Sequence, residues 1–289
     1  MQGSAELYEK LFPQEYVSKC LESGVRPDAR KLLQSRHVTI NWTQSGSCLV
    51  KLGASCALAS VKLAVGTPAL ATPDQGEIDL QVLFPGVCAS KFSTQRTTDE
   101  AQSLSSYITR ALLSCKCVDL RDCSIERGKS AWKVMVEVTF LDHDGNALDT
   151  ALLAVMSVLS KLTLPAISIS SDSIVSLAEG IVPLQHLSSS FPYSLPDQSA
   201  KVLFPLHATL FSTTFGEYQS HVMVDPTARE EEVLESTFSV LTTKSGDFAG
   251  VYKSGGVPLA PATLQVCIQV AKERTAAIVA LMEQSSTSD

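Results

Sequence analysis

The sequence contains no run of 18 or more apolar residues, about the length a membrane-crossing helix needs, so no membrane partner is expected. Its start, Met1-Gln-Gly-Ser-Ala-Glu-Leu-Tyr8, lacks the basic and then apolar layout of a secretory signal, which makes a nuclear or cytoplasmic protein the expectation. An excess of positive charge is missing too. The 23 Lys and Arg stand against 30 Asp and Glu, and the formal charge of −7 argues against nucleic-acid binding by the whole surface. Nor is there a dense, evenly spaced cysteine framework. The eight cysteines include Cys20, Cys48, Cys56 and Cys267 in apolar strand or helix patterns, and reduced thiols are expected. Cys115-Lys-Cys117 with Cys123 lacks a fourth ligand for zinc, so no metal site and no cofactor is assigned.

What is present is an ordinary globular composition, 45% hydrophobic and 18% charged, in a chain of 289 residues. That length suggests two packed units, although one larger domain is also allowed. Small basic clusters remain as local candidates for phosphate contact: Lys91 with Arg96, Arg110, and Arg121 with Arg127 and Lys129. Each such cluster alone is more often a solvated face than a binding site.

Periodicity sets the organisation. Leu7, Leu11, Tyr16 and Cys20 make one side of an amphipathic helix over residues 5–23, which Gly24 stops. The charged turn Arg26-Pro-Asp-Ala-Arg30 follows. Alternation at Val38, Ile40 and Trp42, at Cys48, Val50 and Leu52, and from Ala57 to Val65 predicts an antiparallel meander, with a further strand at Ile78–Phe84. Asp99 is placed to cap a helix whose apolar side carries Leu104, Ile108, Ala111 and Leu112. Val134, Val136, Val138 and Phe140 then alternate in a strand that turns through Asp144-Gly145-Asn146 into a helix carrying Leu148, Leu152, Val155, Met156 and Leu159. That helix has almost no polar face, so it must be buried on most sides.

Between Pro165 and Pro205 the pattern weakens into serines and prolines. The reading is an N-terminal helix at 1–23, a first subdomain at 24–165, an edge strand and connecting segment at 166–204, and a second subdomain at 205–289. The second begins with the hairpin strands Ala208–Thr213 and Ser220–Val224. It continues with Thr237–Thr243 and Phe248–Lys253, and closes with a helix from Pro261. Each half is antiparallel strands plus one or two helices, an α+β arrangement.

Taken in order, Arg26-Pro-Asp-Ala-Arg30, Ser47–Gly53 leading to Ala59–Leu63, Trp132–Asp149 and Val224-Asp-Pro-Thr-Ala-Arg-Glu-Glu231 make the chain resemble the RNase PH family, in particular the noncatalytic ring subunits of the eukaryotic RNA exosome. The resemblance implies the RNase PH fold (ribosomal protein S5 domain 2-like) with two similar sheet-and-helix subdomains. It also implies a six-membered ring in which the chain pairs with another RNase PH-like subunit. A cap of RNA-binding proteins and RNA in the central channel are the further partners implied, with residence in nucleus, nucleolus and cytoplasm. Ala29 departs from the Gly usual in the family motif.

Active members of this family attack a terminal phosphodiester with orthophosphate. A Gly-Ser/Thr-Arg segment at a helix start holds the phosphate through backbone amides, a hydroxyl and a guanidinium. Those positions here are Asn146, Ala147 and Leu148, so hydroxyl and cation are lost, and Asp149 would set a carboxylate near the phosphate. The resemblance also implies two acids six residues apart, matched by Asp225 and Glu231. The structural reading makes Asp225 a cap for the Pro226-Thr227 turn and Glu230–Glu232 an exposed acidic face; the functional one makes them metal ligands, or contributors in trans. The expectation is therefore a scaffold with no catalytic residues, in which Lys91, Arg96 and Arg110 contact RNA phosphates. The alternatives are an active phosphate-dependent 3'-5' exoribonuclease and a small-molecule kinase. The kinase would need a phosphate loop running directly into a helix, and Ser254-Gly255-Gly256 is followed by Pro258 and Pro261 instead.

Overall fold

The computed structural model describes residues 8, 11–43, 46–88, 99–165, 167–169, 175–177, 202–219 and 221–286. Helix α1 (Pro13–Glu22) precedes the strands β1 (Val38–Thr43), β2 (Ser47–Leu52), β3 (Ser55–Gly66) and β4 (Glu77–Leu83). After helix α2 (Asp99–Ser114) come β5 (Ser124–Glu126), β6 (Ser130–Asp142) and helix α3 (Ala147–Ser160). These strands form one sheet in the order β1-β2-β3-β6-β4, with β5 on the end of β6. The meander is antiparallel as its alternation implies, whereas β4 runs parallel to β6. A parallel neighbour needs a crossover, and α2 supplies it. Its Ser105 hydroxyl accepts the Val82 N–H at 2.9 Å, which satisfies an amide of the edge strand β4.

The linking region contributes β7 (Thr163–Leu164) paired with β10 (Val202–Leu203), and a small hairpin of β8 (Ile167–Ile169) and β9 (Val175–Leu177). The second sheet has the order β12-β11-β13-β14, from β11 (Leu210–Tyr218), β12 (His221–Val224), β13 (Ser236–Thr243) and β14 (Phe248–Lys253). The one-turn helix α4 (Ala228–Glu231) lies between β12 and β13, and the long helix α5 (Pro261–Ser286) ends the chain. Cys267 and Ala271 of α5 pack against Phe215, Phe238 and Val240 on one face of this sheet.

Helix α3 occupies the centre. It packs on β2 and β3 on one side and β11 on the other, and every residue from Leu148 to Leu159 is buried. Leu152, Val155, Met156 and Leu159 share one core with Val136 and Val138 of the first sheet and with Leu210, Phe211 and Leu241 of the second. A helix covered by sheets on both sides has no surface that needs a polar residue, which is why its sequence is apolar all round.

Candidate functional site

The site expected from the sequence lies where β6 turns into α3, and the second half closes over it. Gly145 makes that closure possible. Its φ is +75°, and a Cβ there would sit 2.4 Å from the Ala228 nitrogen, so the Thr227–Ala228 backbone approaches where only hydrogen fits. Asn146 follows in the left-handed region with φ 55° and precedes the first residue of α3.

At that helix start the backbone N–H of Asn146 donates to Glu231 Oε1 at 2.7 Å. The Asn146 side-chain amide donates to Asp149 Oδ2 at 2.9 Å and to Asp225 Oδ1 at 2.6 Å. A carboxylate of the protein itself therefore holds the amide that would otherwise favour an external anion.

Asp149 is 3% exposed and, besides the Asn146 amide at the helix start, takes its donors from the second half. It accepts from the Ser212 hydroxyl, from the Thr214 N–H at 3.0 Å, from the Thr214 hydroxyl at 2.7 Å and from Arg274 Nη1 at 2.6 Å. The expectation that it stands as a charge facing a phosphate is thus corrected: these donors saturate it. Ala147 and Leu148 offer neither hydroxyl nor cation at the helix start, and Leu148 belongs to the core.

Asp225 and Glu230 likewise overturn their sequence reading. Both are fully buried, Glu231 is half-buried, and only Glu232 is exposed, so there is no acidic face over these residues. The cap of α4 is Thr227, with Glu230 closing a capping box in which its Oε2 accepts the Thr227 N–H at 2.8 Å. Asp225 has φ 54° and takes the Arg36 N–H at 2.8 Å, Arg36 Nε at 2.9 Å and Arg36 Nη2 at 2.7 Å. Burial alone would raise its pKa. The Arg36 hydrogen bonds, the nearby Arg274 charge and the Asn146 amide instead hold it far below the ordinary carboxylate range. Asp144, which Arg36 also touches, is pushed up by burial.

The charged turn supplies the remaining cations. Arg26 is 1% exposed and forms a two-pronged pair with Glu230, at 2.8 Å from Nε and 2.5 Å from Nη2, while its Nη1 donates to the Val224 carbonyl at 2.7 Å. Arg30 pairs with Asp28 and reaches Asp225 Oδ2 at 3.3 Å. Arg26 and Arg30 thus join the two halves instead of awaiting phosphate. Ala29 between them adopts φ 62°, a conformation that favours Gly, so the departure from the family motif falls where a Cβ is strained.

Of the candidates for RNA contact, Arg110 lies exposed on α2 with its guanidinium carbon 5.9 Å from the Tyr107 ring centroid. Lys91 and Arg96 lie outside the described residues. Arg121 and Lys129 sit in surface ion pairs with Asp74 and Glu126. Cys117 and Cys123 are buried free thiols, pushed up to about 11 by burial, and among the described residues no group of three or more His, Cys, Asp or Glu is placed to hold a metal ion.

Sequence reading missed Arg36, Arg274 and the roles of Asn146. Arg274 was detectable in part: it falls between Ala271 and Ile278 on the buried stripe of α5, where a lone cation implies a buried partner. Arg36 precedes a strand and carries no local signal.

The comparisons with known proteins agree with this architecture. A fission yeast (Schizosaccharomyces pombe) protein named exosome complex component rrp43 is 24% identical over 93% of this chain and 94% of its own length. The archaeal exosome complex component Rrp42 of Methanocella arvoryzae is 27% identical over 90% of this chain and 91% of its own. The human exosome complex component RRP45 is 24% identical over 95% of this chain, which spans only 59% of that longer protein. Among solved structures, an archaeal exosome core superposes with a TM-score of 0.73 at 25% identity, covering 97% of this chain and 99% of the other. A chain of the Archaeoglobus fulgidus exosome with RNA bound to the active site shares the fold, with a TM-score of 0.74 at 24% identity over 92% and 95% of the two chains. Residues 34–165 match domain 1 and residues 209–274 match domain 2 of the 3' exoribonuclease family, and the chain belongs to that RNase PH family.

Proposed function

We propose that the chain is a noncatalytic subunit of an RNA exosome ring, supporting 3'-5' RNA processing and degradation as scaffold and channel wall. Its relatives over nearly the whole length carry exosome component names. The observation that carries the inactive reading is the Glu231 carboxylate on the Asn146 N–H. Around it, Arg26, Arg36 and Arg274 are each bound to carboxylates of the chain. Phosphorolysis needs donors free to hold orthophosphate against an anionic RNA. Here those donors are already paired. The burial of Asp225 also argues against its acting in trans.

The partners of this reading are a second RNase PH-like subunit, the cap RNA-binding proteins, and RNA in the channel. Lys91, Arg96 and Arg110 are proposed to touch RNA phosphates, with residence in nucleus, nucleolus and cytoplasm. Within the ring, Cys88-Ala-Ser-Lys-Phe92, Asp99-Glu-Ala-Gln102 and the Asp225-Pro-Thr227 form favour the subunit type called component eight over component seven.

The test incubates the purified chain with single-stranded RNA and orthophosphate, free of ring partners. No nucleoside diphosphate is expected, and steady release that scales with protein would overturn the reading. Native mass measurement of a co-expressed pair tests assembly, with a one-to-one complex as the expected outcome.

A further inference from the structure

The loop that joins β3 to β4 carries two threonines followed by proline, Thr67-Pro68 and Thr72-Pro73, on either side of Ala69-Leu-Ala71. It stands out from the sheet: Thr67 and residues 69–72 are exposed, and Leu70 at the crest is 101% exposed. The Thr72 N–H closes a turn on the Ala69 carbonyl at 2.9 Å, which shapes that crest. The two threonines are not equivalent. Thr67 directly follows Val65 and Gly66, which pair with Trp132 and Ala131 in the sheet, so the chain before it is tied down. Before Thr72 lie Leu70 and Ala71, both exposed and outside any strand. Proline favours an extended backbone at the residue before it, and among the described residues the Thr72 hydroxyl has no hydrogen-bond partner. Such a hydroxyl is open to an enzyme that reads threonine with proline after it.

A receiving cation stands beside it. The Gly128 N–H donates to the Pro73 carbonyl at 2.7 Å, which holds the turn Arg127-Gly128-Lys129 between β5 and β6 against the residue next to Thr72. The other charges of this surface have partners. Lys129 pairs with Glu126 at 2.6 Å, Arg121 lies 4.0 Å from Asp74, and His207 lies 2.6 Å from Asp122. Asp119 accepts the Arg121 N–H at 3.0 Å. Arg127 is exposed and, among the described residues, has no ion pair. A guanidinium fork matches the oxygens of a phosphate group, which carries close to two negative charges at neutral pH.

We propose that Thr72 is a phosphorylation site for a proline-directed protein kinase, and that Arg127 receives the phosphate. The γ-phosphoryl group of ATP passes to Thr72 Oγ1: the new P–O bond replaces the bond to the β-phosphate, ADP leaves, and the hydroxyl proton goes to the carboxylate base of the kinase. The modified loop is then held to the β5–β6 turn by a charge-assisted pair in addition to the Pro73–Gly128 hydrogen bond. The site is independent of the exosome reading and stands whether or not the chain turns over RNA.

The test treats the folded full chain with a proline-directed protein kinase and magnesium ATP and maps the product by mass spectrometry, beside Thr72→Val, Thr67→Val and Arg127→Gln. Phosphate is expected on Thr72 in the wild type and in Thr67→Val, and is expected to be lost in Thr72→Val. Phosphorus NMR then follows the second ionisation of the phosphate, whose ordinary pKa is about 6. The wild type is expected to hold it below that value and Arg127→Gln to return it, since a neighbouring guanidinium favours the dianion. Thr72 left unmodified, Thr67 modified as readily as Thr72, or an ionisation unchanged in Arg127→Gln would each overturn the proposal.

Discussion

The Asp149 carboxylate and the Arg274 guanidinium meet at 2.6 Å, one on the first turn of α3 and the other midway along α5, with side-chain exposures of 2% and 7%. The two residues are separated by 125 positions in sequence. Their contact joins the central helix to the closing one. Removing one partner leaves a charge buried without compensation. Arg274→Met is expected to cost about 3–5 kcal/mol, measured by denaturant unfolding. Asp149→Asn keeps an acceptor for Ser212 and Thr214, so its cost should be smaller. A loss below about 1 kcal/mol for Arg274→Met would show the pair to be dispensable.

Placing a hydroxyl and a cation at the start of α3 should not create a phosphate site. Leu148 lies in the core and the Asn146 amide is taken by Glu231, so Ala147→Ser with Leu148→Arg brings a cation into an apolar interior. The expected outcome is a loss of several kcal/mol of stability with no phosphorolysis. A folded double variant that releases nucleoside diphosphate from RNA would refute this account.

Acid should weaken the junction through Asp225. Its pKa is depressed in the folded protein, so its contribution to stability is complete above the unfolded carboxylate value, about 4, and drains away as pH falls toward the folded value. Unfolding midpoints measured from neutral pH downward should therefore drop more steeply for the wild type than for Asp225→Asn. The two curves should converge in acid. Parallel curves would mean that Asp225 does not report this linkage.

Ala29 offers a change in the opposite direction. Its left-handed backbone costs about 1–2 kcal/mol for a residue with a Cβ, against about 0.5–1 kcal/mol of extra chain entropy for glycine. Ala29→Gly is expected to raise stability by up to about 1 kcal/mol, read from the thermal or denaturant midpoint. A destabilised variant would show that Ala29 makes a favourable contact that outweighs its backbone strain.

The element pattern was readable before the structure because it is local. Alternation at Val134, Val136, Val138 and Phe140 placed β6, and Asp144-Gly145 placed the turn into α3. The nearly unbroken apolar surface of α3 announced a helix buried on most sides. The parallel placement of β4 beside β6 was not readable, since register with a distant strand leaves no mark within β4 itself. The acids were misread for a related reason. Glu230, Glu231 and Glu232 look alike as a run of charge, and only the arrival of Arg26 from 204 residues away makes Glu230 a buried ion.

By itself the sequence determined the longer strands and helices, their order, the family and the fact that Ala147 and Leu148 bring neither hydroxyl nor cation to the start of α3, because these depend on residue type and spacing along one segment. The tertiary structure alone decided what surrounds the start of α3. It brought Arg26, Arg36, Asn146 and Asp149 from the first half against Asp225, Glu230, Glu231 and Arg274 from the second, where each buried charge or amide requires a partner. Those pairings were set by the packing of both sheets on α3, which no single segment of the chain encodes.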